Sequence, residues 1–431
     1  VEADMKNIVK KINKTIYYGW IIVVVGNLAF FMSAPGQTYS ISVFINEYES
    51  IFPYSITTIS SAYSLATLMS GLLLIFMGKA SDKYGPRKMM MIAGFMLALS
   101  TLFSSFITNI VMIFFSFFLL RFFGQGSLTL LPNALIPQWF EKKRALAISL
   151  SVFGGFIATM LIPSFNYWLI QEIGWENAWR IWSLILIFIF LPAVFVFGAN
   201  KPEDFEIPME NDAIKDKNLH LESLKKRGRE SFTLSEAIRT KEFWFAGLIS
   251  MIPSMFTTGM TFHFFNIMSL RSIDKETAAW IIGLIALPSF FIFFLAKPII
   301  DKQPVKRILS TTLAMMIISM FVLMYFISNA THAVIFILFY GLAIAIQAVT
   351  LNVLWPNYFG RKYLGSIRGA ATIFMVIGSA LGPLPFGIAY DLTDQENYDY
   401  AIIAMIIFAS INFILSLLIK KPSKSKEENF N

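Results

Sequence analysis

The chain contains no cysteine, which excludes a disulfide framework, thiol catalysis and cysteine metal sites. Its three histidines, His220, His263 and His332, lie too far apart in sequence to show metal-ligand spacing. Charge is scarce as well. Asp, Glu, Lys and Arg make up 14% of 431 residues, where a water-soluble domain carries about 25%. No Asp or Glu falls well inside any long apolar run; Asp82, Asp301 and Asp391 stand near the ends of such runs. No nucleotide-binding loop, catalytic triad or metal cluster is evident, which argues against an ATP-driven pump, an enzyme or a bound cofactor.

What is present is apolar. Hydrophobic residues are 56% of the chain, with 44 phenylalanines and 21 methionines, more than a water-soluble core could bury and easily turned toward lipid. Twelve runs reach the roughly 20 residues that a helix needs to cross a bilayer. Strand-like alternation is absent, so the backbone must be satisfied within helices. The opening VEADMKNIVKKINK lacks the hydrophobic core of a secretory signal, and the first run is expected to be a retained span. The expectation is an all-α membrane protein of twelve transmembrane helices in two pseudo-symmetric six-helix bundles. An N-terminal tail takes 1–17, the first bundle 18–199, a polar linker 200–242, the second bundle 243–419 and a tail 420–431. Within the linker, FTLSEAIRTKEF suits a short interfacial helix capped by Thr233 or Ser235, against the plainer reading of a solvated connector.

Positive charge is sided. All but four of the 35 Lys and Arg, namely Arg121, Arg180, Arg271 and Lys275, fall on the side that holds both termini and the linker. The positive-inside rule makes that side cytoplasmic, in a multi-pass protein of the cell membrane. The net charge of +8 is then accounted for by topology and lipid headgroups, and nucleic acid is not an expected partner.

The halves repeat one another. Asn133-Ala-Leu-Ile-Pro-Gln-Trp-Phe140 pairs with Asn352-Val-Leu-Trp-Pro-Asn-Tyr-Phe359 at the same offset that takes Asp82 to Asp301 and Arg87-Lys88 to Lys306-Arg307. After a short expansion, Val152-Phe-Gly-Gly155 meets Val376-Ile-Gly-Ser379. Each copy enters and leaves on the same side, the parallel-repeat case in which substrate is expected between the halves near the midplane.

One charge breaks the pattern. Arg121 sits in FFSFFLLRFFGQGS, about 16 Å along the fourth span at 1.5 Å per residue, near the bilayer centre. A lipid-facing guanidinium there costs several kcal/mol, on the order of 3 or more, so Arg121 must face a protein interior or a wet cavity. Gln125 and Thr129 share its stripe on a helical wheel, and Gly124 and Gly126 permit close approach of a neighbouring helix. Its fork matches a carboxylate, which favours an anion or coupling site over a structural arginine bonded to neighbouring backbone. Further polar candidates are Gln37 near a Pro35-Gly36 interruption of the first span, Tyr63 on the second, His263 and Asn266 on the seventh, and Tyr340 and Gln347 on the tenth. His263 is set apart because histidine can titrate near neutral pH.

In the stretch Gly78-Lys-Ala-Ser-Asp82-Lys-Tyr-Gly85-Pro-Arg87-Lys88 the chain resembles the helix 2–3 loop signature of the major facilitator superfamily. YYGW at 17–20, WFEKKRALAISLSVFGG at 139–155 and KPEDFE at 201–206 are similar to the bacterial monocarboxylate-transporter-like group, which includes oxalate:formate antiporters. The resemblance implies the major facilitator fold and a conformational latch made by Gly78, Asp82, Gly85 and Arg87, with Asp301 as the second-half copy. Monocarboxylate transporters of that group use an arginine on helix 8. Here the matching place is near Phe293, which shifts anion binding to Arg121, with His263 as a helper.

The expected activity is secondary active transport of a small organic anion by alternating access, as proton symport or exchange, by a monomer among membrane lipids. Efflux of amphipathic compounds and a non-transporting solute sensor are the alternatives. The lack of a buried carboxylate disfavours proton-driven drug efflux, and the latch loop disfavours the sensor.

Overall fold

The structure is a computed structural model that describes residues 9–140, 143–207, 231–292, 295, 303–360 and 363–422. Twelve helices are long and apolar enough to span a membrane. They are α1 (Gly19–Ile51), α2 (Ile56–Tyr84), α3 (Pro86–Ser104), α4 (Ile110–Gln138), α5 (Leu146–Ile173) and α6 (Trp175–Phe197) in the first half. The second half holds α7 (Lys241–Phe262), α8 (Lys275–Ile292), α9 (Val305–Tyr325), α10 (Ala330–Phe359), α11 (Leu364–Leu392) and α12 (Asp399–Leu418). No strand occurs among the described residues. An even number of crossings puts the start of α1 and the end of α12 on one face, here the terminal face; the opposite one is the distal face.

Capping residues set the boundaries. Ser55 accepts from the Thr58 N–H to begin α2, and Thr240 accepts from Phe243 to begin α7. Asn109 caps α4 and Asn329 caps α10 in the same way, so the internal repeat extends to the side chains that start corresponding helices. The linker forms the short helix Leu234–Ile238, which Thr233 and Glu236 close as a reciprocal capping box. Residues 208–230 of the linker lie outside the described residues.

The first apolar run of the sequence covers roughly residues 18–45, and α1 is longer. It continues past its first apolar stretch to Ile51 and so carries Glu47 and Glu49 within the helix. Apolarity alone ends the span too early, because the helix continues through Tyr48, which is buried and accepts the Trp179 indole N–H at 2.9 Å. The interruption at Ala34–Gly36 is real. A short tight turn there leads into Gln37, whose φ and ψ of −86° and 147° are extended.

Contact between spans is made by small residues, as expected where packing rather than hydrophobicity drives association. Gly154 on α5 lies against the Asn27 carbonyl of α1, and its N–H donates to Asn27 Oδ1 at 2.7 Å. The second half repeats this between α7 and α11: a Cβ on Gly259 would sit 2.5 Å from the Gly382 carbonyl. Some buried polar groups pair across the spans. Asn166 donates to Ser40 Oγ at 2.8 Å and accepts from the Trp182 indole at 2.8 Å, tying α1, α5 and α6. Large apolar side chains such as Phe188 and Ile75 remain 71% and 63% exposed, facing where lipid would be.

Gly154→Ala should therefore lower thermal stability by about 2 kcal/mol, the order of an overpacked core. Gly365→Ala should leave it unchanged, because among the described residues nothing lies within 4 Å of that Cβ position. A thermal-unfolding comparison in detergent checks both; equal stability of the two variants would contradict the packing account.

Candidate functional site

A cavity of about 590 Å³ lies between the halves. It is walled by α2 and α4 from the first half and by α7, α8, α10 and α11 from the second. Its lining residues on α2 and α4, Thr67 to Leu74 and Arg121 to Asn133, belong to the parts of those helices that run toward the terminal face. α2 and α11 cross where Gly71 abuts Val376. Beyond that crossing they separate, and among the described residues nothing stands within 4 Å of the Cβ positions of Gly78 on α2 or of Gly365 and Gly369 on α11. The cavity thus opens toward the terminal face.

The distal side is closed by bonds that join the halves. Asn266 donates to Glu49 Oε2 at 2.9 Å. Asp391 at the end of α11 accepts from the Thr57 N–H at 3.0 Å, placing a carboxylate at the N-terminus of α2, where the helix dipole favours negative charge. His263 Nε2 lies 3.3 Å from Ser60 Oγ and 3.0 Å from the Pro383 carbonyl, with its ring stacked on Phe386. Tyr63 packs on Phe262 with ring centroids 4.6 Å apart.

Arg121 stands at the inner end of the cavity, 3% exposed. It lies in a π-helical stretch of α4, Leu120–Ser127, a distortion that recurs at functional sites. Local sequence explains it. Gly36 of the broken α1 abuts the Leu120 carbonyl, and a Cβ on Gly124 would come within 2.8 Å of the Gly36 Cα. Two glycines let the backbones touch, and the interrupted first helix then offers its free groups to the arginine. Nη1 donates to the Gly36 carbonyl at 3.4 Å and to Thr38 Oγ1 at 3.2 Å, and Nη2 donates to Ser379 Oγ of α11 at 3.2 Å. The Tyr63 ring lies under the guanidinium at 5.1 Å, with its hydroxyl 2.8 Å from Thr38 Oγ1. Arg121 Nε is buried and has no partner. Among the described residues no carboxylate pairs with this cation, and none lines the cavity.

The other sequence candidates separate into groups. Gln125 lines the cavity beside Arg121. Gln37 turns to Ser33 Oγ at 3.0 Å, and Tyr63 lies beneath Arg121, outside the cavity lining. Tyr340 is fully buried and meets the lining residue Thr257 through paired hydroxyls 2.5 Å apart. Gln347 is fully buried, donates to the Ile249 carbonyl at 3.3 Å and keeps an unpartnered Oε1. His263 and Asn266 belong to the distal closure and are not among the residues that line the cavity. In the last turn of α2, Asp82 is exposed and has no ion-pair partner among the described residues, and Gly85, just after the helix, adopts a φ of 87°, a conformation that side chains with a Cβ rarely take. Arg87 is fastened within its own half: its N–H donates to Asn200 Oδ1 at 2.9 Å and Nη2 to the Phe195 carbonyl at 2.6 Å. Asp301 and Phe293 lie outside the described residues. Sequence reasoning passed over Ser379 as a site residue, although the repeat marks it as the hydroxyl that replaces Gly155.

The sequence pattern of the Major Facilitator Superfamily matches residues 26–383 and 271–430. Among curated relatives, the chain is 30% identical to monocarboxylate transporter 13 of Rattus norvegicus over 37% of each chain. It is 22% identical to monocarboxylate transporter 2 of Homo sapiens over 92% of this chain and 85% of that one. The first of these matches therefore spans little more than a third of the relative. Among solved structures, a bacterial homologue of the lysosomal transporter Spinster, inward-facing and unoccupied, superposes with a TM-score of 0.68 at 14% identity, covering 95% of this chain and 100% of the other. The xylose transporter XylE from E. coli, inward open, gives a TM-score of 0.66 at 16% identity over 95% and 98%.

The distal closure predicts a measurable gate. The chain has no cysteine, so Ser64→Cys, buried just beneath the closure, is a single reporter. Maleimide applied from the distal side should label it several-fold faster when Glu49→Gln and Asp391→Asn are added. Unchanged labelling would contradict the role given to those carboxylates.

Proposed function

We propose, for a chain that belongs to the Major Facilitator Superfamily, that it is a secondary transporter of a small organic anion bearing a carboxylate. The observation that carries this reading is Arg121: a buried guanidinium with an unpartnered Nε, without a carboxylate beside it, at the inner end of a cavity between the halves. A cation in that position is compensated by solute, because leaving it unpaired in a dry site is costly. The likeness to monocarboxylate transporters supports the same class of solute.

The cavity chemistry narrows the solute. Arg121 is the one cationic side chain among the described lining residues. A monoanion balances it, whereas a dianion would bring a second carboxylate with no partner. The remaining polar lining is neutral: the Gln125 amide together with hydroxyls such as Thr67, Ser254, Thr257 and Ser289. These can hydrogen-bond a small polar body without adding charge.

The conformation supports alternating access. The terminal face, which the distribution of Lys and Arg makes cytoplasmic, is open, and the distal face is closed. Rocking the halves about the α2–α11 crossing would close the first and open the second while the site stays near the pivot. In that closed form the exposed Asp82 and the glycine face of Gly78 would meet the start of α11, near Gly365 and Gly369, which gives the latch loop its use. Transport runs by exchange or with a proton.

Counterflow in proteoliposomes tests the reading. Vesicles preloaded with acetate or L-lactate should accumulate the labelled acid, and Arg121→Ala should abolish this. Arg121→Lys should fold and insert normally but weaken affinity about tenfold, because a point charge replaces a planar fork. Binding without flux would favour a sensor. Wild-type affinity in Arg121→Lys would remove the anion assignment.

A further inference from the structure

The way Arg121 is held points to the docking edge of its ligand and to a residue that occupies the ligand's place when the site is empty. A guanidinium has five N–H donors in one plane. The Nη1 group is committed to α1, through the Gly36 carbonyl and Thr38 Oγ1. The side edge formed by Nε and Nη2 is the part left over. There, Nε has no partner although it is buried, and Nη2 has a single acceptor, Ser379 Oγ at 3.2 Å.

That acceptor is a poor match for the edge. One neutral hydroxyl engages half of a fork whose two parallel N–H groups fit the two oxygens of a carboxylate. Ser379 also has an alternative. Its Oγ lies 3.0 Å from Thr258 Oγ1 on α7, so it keeps a bond within its own half if Arg121 lets go. Both residues line the cavity, as does Arg121.

We propose that Ser379 is a stand-in for the substrate carboxylate, and that the anion binds side-on across Nε and Nη2 of Arg121, displacing the Ser379 hydroxyl onto Thr258. This rests on the anion-transport reading above and adds to it a specificity-determining residue on the second half. It also joins binding to movement. The Arg121–Ser379 bond is a polar tie between the halves, on α11 one turn from Val376 at the crossing with α2. An arriving carboxylate breaks that tie beside the pivot, whereas a neutral solute has no charge with which to displace it.

The test uses the full chain in detergent, with acetate and L-lactate as probes and binding read by intrinsic tryptophan fluorescence and thermal shift. Ser379→Asp puts a tethered carboxylate where the anion would dock. It should raise the melting temperature of the empty protein toward that of the acetate-bound wild type and abolish the response to both acids. Ser379→Ala removes the competing hydroxyl and should tighten acetate binding about threefold or more, while Thr372→Ala, an exposed α11 hydroxyl bonded to the Arg368 carbonyl outside the cavity lining, should leave it unchanged. Wild-type affinity in Ser379→Asp, or equal or weaker binding in Ser379→Ala, would overturn the stand-in role while leaving the anion reading intact. Should Ser379→Asp fail to fold, Ser379→Ala decides alone. If the wild type binds neither acid, the transport reading falls and takes this proposal with it.

Discussion

Everything about this molecule turns on a guanidinium that the protein satisfies only in part. Burying a cation costs several kcal/mol, on the order of 3 or more, even after relaxation, and the chain meets this with neutral groups. The broken first helix supplies the Gly36 carbonyl and Thr38, Tyr63 supplies an aromatic face, and α11 supplies one hydroxyl. A structural arginine would be expected to use all its donors. Here one edge keeps an unpartnered Nε in a side chain that lines the cavity, and the rest of the architecture reads as the means of holding it there.

Those means begin with glycine. Gly36 and Gly124 bring α1 and α4 into backbone contact, which delivers the carbonyl to the arginine and accompanies the π-helical stretch around it. Gly71 against Val376 sets the crossing of α2 and α11, and the tie from Arg121 to Ser379 lies beside it. Away from that point the molecule is asymmetric. On the distal side two carboxylates, Glu49 and Asp391, bind groups of the opposite half. On the terminal side the matching surfaces stand apart and Asp82 has no ion-pair partner among the described residues. The charged residues that fasten one face and await contact on the other all lie at helix ends, where water or a helix dipole can stabilise them.

Much of the fold was legible from length, apolarity and charge siting, because a bilayer permits few solutions. The twelve spans and the two matching halves followed from those rules, and the family resemblance in the α2–α3 loop agreed with them. Boundaries were less legible: α1 runs through Glu47 and Glu49, with Tyr48 buried between them, and stops only before Phe52-Pro53. At the site, the helical period put Gln125 beside Arg121, since both are on one helix. Periodicity is silent on contacts between helices. It could not say that Ser379 reaches across from α11, nor that His263 belongs to the closed side, because both depend on how the halves are tilted. The repeat held a clue to Ser379, as a hydroxyl where the first half has glycine, but without depth along the helix that difference had no direction.

The most direct test is to locate a carboxylate in the molecule. Crystals or particles prepared with 2-bromopropionate, whose bromine is visible by anomalous scattering or as strong density, would place the acid. The account predicts its two oxygens along the Nε–Nη2 edge of Arg121, with Ser379 turned to Thr258. Bromine found elsewhere in the cavity, with the Arg121–Ser379 bond intact, would contradict it.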